Sequence, residues 1–163
     1  MALLYFALTT LASSILIPMV CLPFVDLATM WTGAHFLYGF LLLSTYYVDS
    51  VSSATIVIGV AGIAWSLQNW APFALLGVEL KRKDSPMAST GAILGIHNIY
   101  IAAPQFLSTG IASLVFKYGG QVSQDKDGKT TQMEGDIGTL FRLMAVFAFL
   151  AGYLSLRVRH SEA

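Results

Sequence analysis

The charged residues of this 163-residue chain, nine basic and nine acidic, leave four uncharged runs between them, 1–25, 27–48, 50–78 and 85–116. A fifth, shorter apolar stretch covers 143–156. A run of about 18 or more residues with no charge is long enough to cross a bilayer as a helix. Hydrophobic residues make up 56% of the chain and charged ones 11%, below half the roughly 25% typical of a soluble domain. These runs point to an all-α membrane fold of five transmembrane helices, at about 2–25, 28–48, 54–79, 89–116 and 138–156. The first is read as a retained helix, because it has no basic leading segment and exceeds the apolar length of a signal peptide. Arg142 falls in the first turn of the fifth span, where a long basic side chain can snorkel to the headgroups.

Zero net charge leaves no basic face for nucleic acid. Cys21 is the single cysteine, so no intrachain disulfide is possible, and its thiol reads as a small packed hydrophobe. His-x-x-x-His and cysteine-rich ligand spacings, glycine-rich phosphate loops and Gly-x-Ser-x-Gly elbows are all missing from the sequence. The expectation is therefore no enzyme, no metal and no cofactor.

Lys and Arg near span ends set orientation. Lys81, Arg82, Lys83, Arg157 and Arg159 fall on one side, and Lys117, Lys126, Lys129 and Arg142 on the other. The tight cluster 81–83 decides the near-tie, placing it and the C-terminus in the cytosol with Met1 outside. Residues 119–137 then form an extracytosolic loop, polar and acidic, read as a flexible tether. Asp26, Asp49 and Glu79 lie at span ends as caps or turn residues. Gly59 with Gly62, Gly91 with Gly95, and Gly110 mark places where helix backbones can approach, since lipid supplies no hydrophobic force between helices.

Polar groups within spans must face protein or water, because each unsatisfied one in hydrocarbon costs on the order of several kcal/mol. Trp65, Gln68, Asn69 and Pro72 recur at i, i+3, i+4 and i+7, one helical face. Pro72 cannot donate to the Gln68 carbonyl, so a kink is expected there. An indole beside two amides suits a sugar, whose hydroxyls need donors and acceptors and whose C–H face stacks on an aromatic ring. The alternative is that the amides bond neighbouring helices while Trp65 and Trp70 fill the bundle. In the fourth span Asn98 and Gln105 share a face, and Pro104 releases the Tyr100 carbonyl, a second expected kink. His97 is a candidate proton relay by the titration range of imidazole, or a neutral histidine bonded to a neighbour. His35, in the second span, reads the same way with less weight. No Asp, Glu, Lys or Arg sits at mid-membrane depth in any span.

These segments resemble a known family. GIAWSLQNWAPFALLGVEL, residues 62–80, is similar to a helix motif of sucrose and alpha-glucoside transporters, G-I-x-W-(A/S)-x-x-x-W-A-P-F-A. GAILGIHNIYIAAPQFLSTGIASLVF, residues 91–116, resembles the following helix of those carriers, with Gly95, Asn98, Pro104 and Gln105 matching G-x-x-N-x-x-x-x-x-P-Q. MWTGAHFLYG, residues 30–39, is similar to the start of the preceding helix, particularly in fungal members. The resemblance implies the glycoside-pentoside-hexuronide:cation symporter branch of the major facilitator superfamily. It assigns the five spans to helices 8 to 12 of a twelve-helix bundle.

On that resemblance the chain is expected to be a C-terminal fragment of a proton-coupled sucrose or alpha-glucoside carrier, lacking its N-terminal helical bundle and inactive alone. The implied partners are the sugar, the proton and the lipid bilayer, in a plasma or vacuolar membrane. The competing expectation is a membrane-embedded regulatory or assembly subunit that packs against a full-length carrier.

Overall fold

The computed structural model describes residues 1–82, 87–119, 122–124, 130–132 and 137–160. Five helices account for nearly all of them: α1 (Ala2–Val20), α2 (Leu27–Ser44), α3 (Val51–Arg82), α4 (Met87–Gly119) and α5 (Ile137–His160). A 3-10 turn, Thr45–Tyr47, continues α2. All five are long and apolar enough to cross a membrane.

Local chemistry explains where the helices begin and end. α1 stops at Val20, short of the expected residue 25. Pro23 has no N–H to donate toward Met19 and its ring crowds that carbonyl, so the chain turns, with Phe24 and Val25 both donating to the Cys21 carbonyl. Asp26 then caps α2: its carboxylate accepts from the Thr29 N–H and the Thr29 hydroxyl, each at 2.8 Å. Ser50 and Ser53 cap α3 reciprocally, each backbone N–H donating to the other's Oγ at 3.1 Å. Helical geometry persists through Pro18, Pro72 and Pro104, so α1, α3 and α4 are each continuous.

The chain divides into two compact units. The first, Met1–Glu79 with Phe141–Ala163, holds α1, α2, most of α3 and most of α5. Within it α1 and α3 run parallel, joined by hydroxyls. Thr9 donates to the Gly59 carbonyl at 2.6 Å, Thr10 to the Gly62 carbonyl at 3.3 Å, and the Ser14 and Ser66 hydroxyls lie 3.0 Å apart. The pairs advance together along both helices, which fixes the parallel direction. α2 and α5 run antiparallel. Thr32 meets Ser155 at 2.8 Å, the ring of Phe149 contacts Phe36 and Phe40, and Arg142 stands 5.5 Å from the centre of the Tyr46 ring. The buried residues of this unit are mostly small: Ala28, Ala34, Ala64, Ala71 and Ala145, with Thr32, Ser66 and Ser155 among them. Such residues let backbones close in where packing and hydrogen bonds hold helices together.

The second unit, Leu80–Leu140, holds α4 and a short antiparallel ladder of β1 (Val122–Gln124) and β2 (Thr130–Gln132). Val122 pairs with Gln132, Ser123 with Thr131 and Gln124 with Thr130. These paired residues lie within the segment 119–137 that the sequence suggests is a flexible tether. None of the residues of the α4 span, Thr90–Lys117, is buried inside the described structure.

Candidate functional site

Successive residues of a helix are set about 100° apart around its axis, and on α3 this produces three distinct faces. Gly59, Gly62 and Ser66 form the seam with α1. Ala64, Leu67 and Ala71 form a second buried line. Trp65, Gln68, Asn69 and Pro72 lie on the remaining arc. Gln68 and Pro72 are half-buried there, Asn69 is exposed, and Trp65 is 44% exposed with its ring tilted against Phe6 at 6.3 Å between centres.

Among the described residues, neither the Gln68 nor the Asn69 side chain makes a hydrogen bond. Within the first unit, these amides therefore have no hydrogen bond from α1, α2 or α5. In an apolar span such amides need a partner from water, a ligand or further protein. An aromatic face with adjacent amide donors and acceptors is left open.

The α4 residues belong to the other unit. Asn98 and Gln105 are exposed, and neither side chain forms a hydrogen bond among the described residues. The Gln105 backbone carbonyl is occupied, accepting from the Ser108 and Thr109 hydroxyls at 2.9 and 2.8 Å. Such back-bonding keeps small polar side chains satisfied inside an apolar helix. His97 is half-buried and Tyr100 is 75% exposed.

Two features escaped the sequence reading. The Trp70 indole N–H is enclosed with no hydrogen-bond partner among the described residues. Its position one turn beyond Ser66 puts it beside the α1 seam, which the spacing alone did not reveal. At the far end of the first unit, Arg142 joins Phe40, Leu43, Ser44, Tyr46 and Tyr47 around an open cavity of about 480 Å³. Arg142 was legible as an interfacial cation, but its aromatic partner depended on α5 pairing with α2. Among the described residues, no group of three or more His, Cys, Asp or Glu is placed to hold a metal ion.

No family model and no solved structure matches the chain. It is 31% identical over 146 residues to the general alpha-glucoside permease of Schizosaccharomyces pombe. That alignment takes in 90% of this chain and 24% of the permease, so the chain spans about a quarter of the length of the curated relative it matches. The similarity supports a relationship to alpha-glucoside transporters. Together with five apolar helices it makes the chain a multi-pass integral membrane protein.

Proposed function

We propose that the chain is part of a proton-coupled alpha-glucoside carrier of the major facilitator superfamily, supplying five spans equivalent to helices 8 to 12 and inactive without the remainder of the bundle. The observation that carries this reading is the 31% identity extending over 90% of the chain. The open Trp65, Gln68 and Asn69 face supports it, because a sugar ring would meet its stacking surface and its hydrogen-bonding needs there. Asn98 and Gln105 would contribute further amides, with His97 as a proton relay and Pro72 and Pro104 as flexing points. The C-terminus would be cytosolic and residues 119–137 extracytosolic. In such a carrier two bundles rock about a central site, driven by inward proton movement worth about 2.3 kcal/mol per charge per 100 mV.

The test replaces the aligned segment of the Schizosaccharomyces pombe permease with this chain and measures uptake of radiolabelled sucrose and maltose in cells lacking their own transporters. Chimeras that reach the membrane are expected to accumulate an alpha-glucoside and to take up protons with it. Liposomes holding this chain alone are expected to show no uptake. Membrane-located chimeras that fail to transport at every junction tried would overturn the carrier reading, and accumulation by the chain alone would overturn the need for the rest of the bundle.

A further inference from the structure

We propose that His35 is a proton-accepting group on the interior seam between α2 and α5, its neutral ring locked in one tautomer so that Nε2 is the site that takes and gives up the proton. The coupling role rests on the carrier reading above, but the tautomer and the protonation do not.

The His35 Nδ1 lies 2.9 Å from the Trp31 carbonyl oxygen, one turn back along α2. A carbonyl oxygen only accepts, so Nδ1 must carry the hydrogen. In the neutral ring Nε2 is then a bare lone pair, and among the described residues nothing hydrogen-bonds to it. The bond that positions the ring is compatible with both protonation states and strengthens when the donor becomes charged.

His35 also lies on the protein-facing side of its helix. Ala28, Thr32, His35 and Gly39 recur at i, i+4, i+7 and i+11, and the other three are buried. On α5, Gly152 faces it: a Cβ there would stand 3.3 Å from the His35 Cβ. The buried Thr32···Ser155 hydroxyl pair lies about one turn away on the same seam. Within the span Leu27–Tyr47, His35 is about 3 Å from the midpoint at 1.5 Å per residue.

The rings of Trp31 and His35 meet edge to face with centres 5.1 Å apart. On these two helices the other titratable residues are Tyr38 on α2 and Arg142, Tyr153, Arg157, Arg159 and His160 on α5. Neither helix carries a carboxylate. The step balances simply. A hydronium ion gives its proton to the Nε2 lone pair and becomes water, the ring becomes an imidazolium, and the same proton later leaves Nε2 for water on the other side while Nδ1 keeps its own.

The test is histidine-selective nitrogen NMR on the whole chain in lipid nanodiscs, with His35→Gln assigning the resonances. Wild type is expected to show, at alkaline pH, a neutral His35 ring protonated at Nδ1 and bare at Nε2. Acidification should shift the Nε2 resonance as it gains a proton and leave Nδ1–H in place. A neutral ring protonated at Nε2 would overturn the proposal, as would a ring that stays neutral at every pH where the helices remain intact. In a transporting chimera, H35Q should abolish accumulation against a gradient while sparing sugar exchange. Undiminished accumulation would remove His35 from coupling yet leave the carrier reading standing, whereas failure of the unmutated chimera would count against that reading alone.

Discussion

Gly62 and Phe6 meet backbone to backbone: a methyl group added at Gly62 would stand 2.6 Å from the Phe6 carbonyl oxygen and would also collide with the Thr9 hydroxyl. That carbonyl is itself held, accepting from Thr10 at 2.7 Å, so it cannot swing aside freely. Gly62→Ala is therefore expected to push α1 and α3 apart and to cost about 1–3 kcal/mol, the usual range for overpacking. Thermal unfolding in detergent compares it with Gly77→Ala on the same helix, where nothing described lies within 4 Å of the new methyl. Equal melting points for the two variants would show that the seam does not hold α1 to α3.

Thr32 and Ser155 join α2 to α5 through a buried hydroxyl pair at 2.8 Å, and Ser155 also donates to the Gly152 carbonyl one turn back. In lipid such interhelical bonds average about 0.6 kcal/mol and reach about 1.7. A double-mutant cycle of Thr32→Val and Ser155→Ala is expected to return a coupling energy in that range. Additive effects would mean that each hydroxyl is satisfied locally and that close packing alone fixes the pair.

Gln68 and Asn69 present amides that no described residue satisfies. If they bind sugar, Gln68→Ala and Asn69→Ala in a transporting chimera should each weaken uptake about tenfold, the worth of one hydrogen bond to an uncharged partner at about 1.4 kcal/mol, with membrane levels unchanged. Trp65→Ala, which removes the stacking surface, should do the same. Asn98→Ala and Gln105→Ala provide the parallel test for α4. Uptake that falls only as membrane level falls would make these positions structural.

The helix ends show how far local sequence reaches. The caps at Asp26 and Ser50 are local signals, and the structure uses both. Pro23 is another: it ends α1 early, whereas Pro18, Pro72 and Pro104 are accommodated inside helices. Proline alone does not distinguish these outcomes, because each depends on whether neighbouring groups satisfy the freed carbonyl.

What the sequence by itself determined is the set of spans and the faces within them. A bilayer leaves the backbone no partner but itself, so apolar length and the positions of charges dictate where helices run. Helical periodicity then groups Trp65 with Gln68, Asn69 and Pro72 before any tertiary contact is known. Only the tertiary structure decided which small residues matter. Gly62 was legible as a packing residue and does meet α1. Gly39 and Gly152, unmarked in the sequence, lie against Phe149 and Phe36, while Gly91, Gly95 and Gly110 have nothing described within 4 Å. The physical reason is that close approach between helices needs a complementary surface on the partner, and sequence spacing describes one helix at a time. The same limit applies to His35: its tautomer follows from a local bond to Trp31, but its place on the protein-facing seam became visible only once α5 was laid against α2.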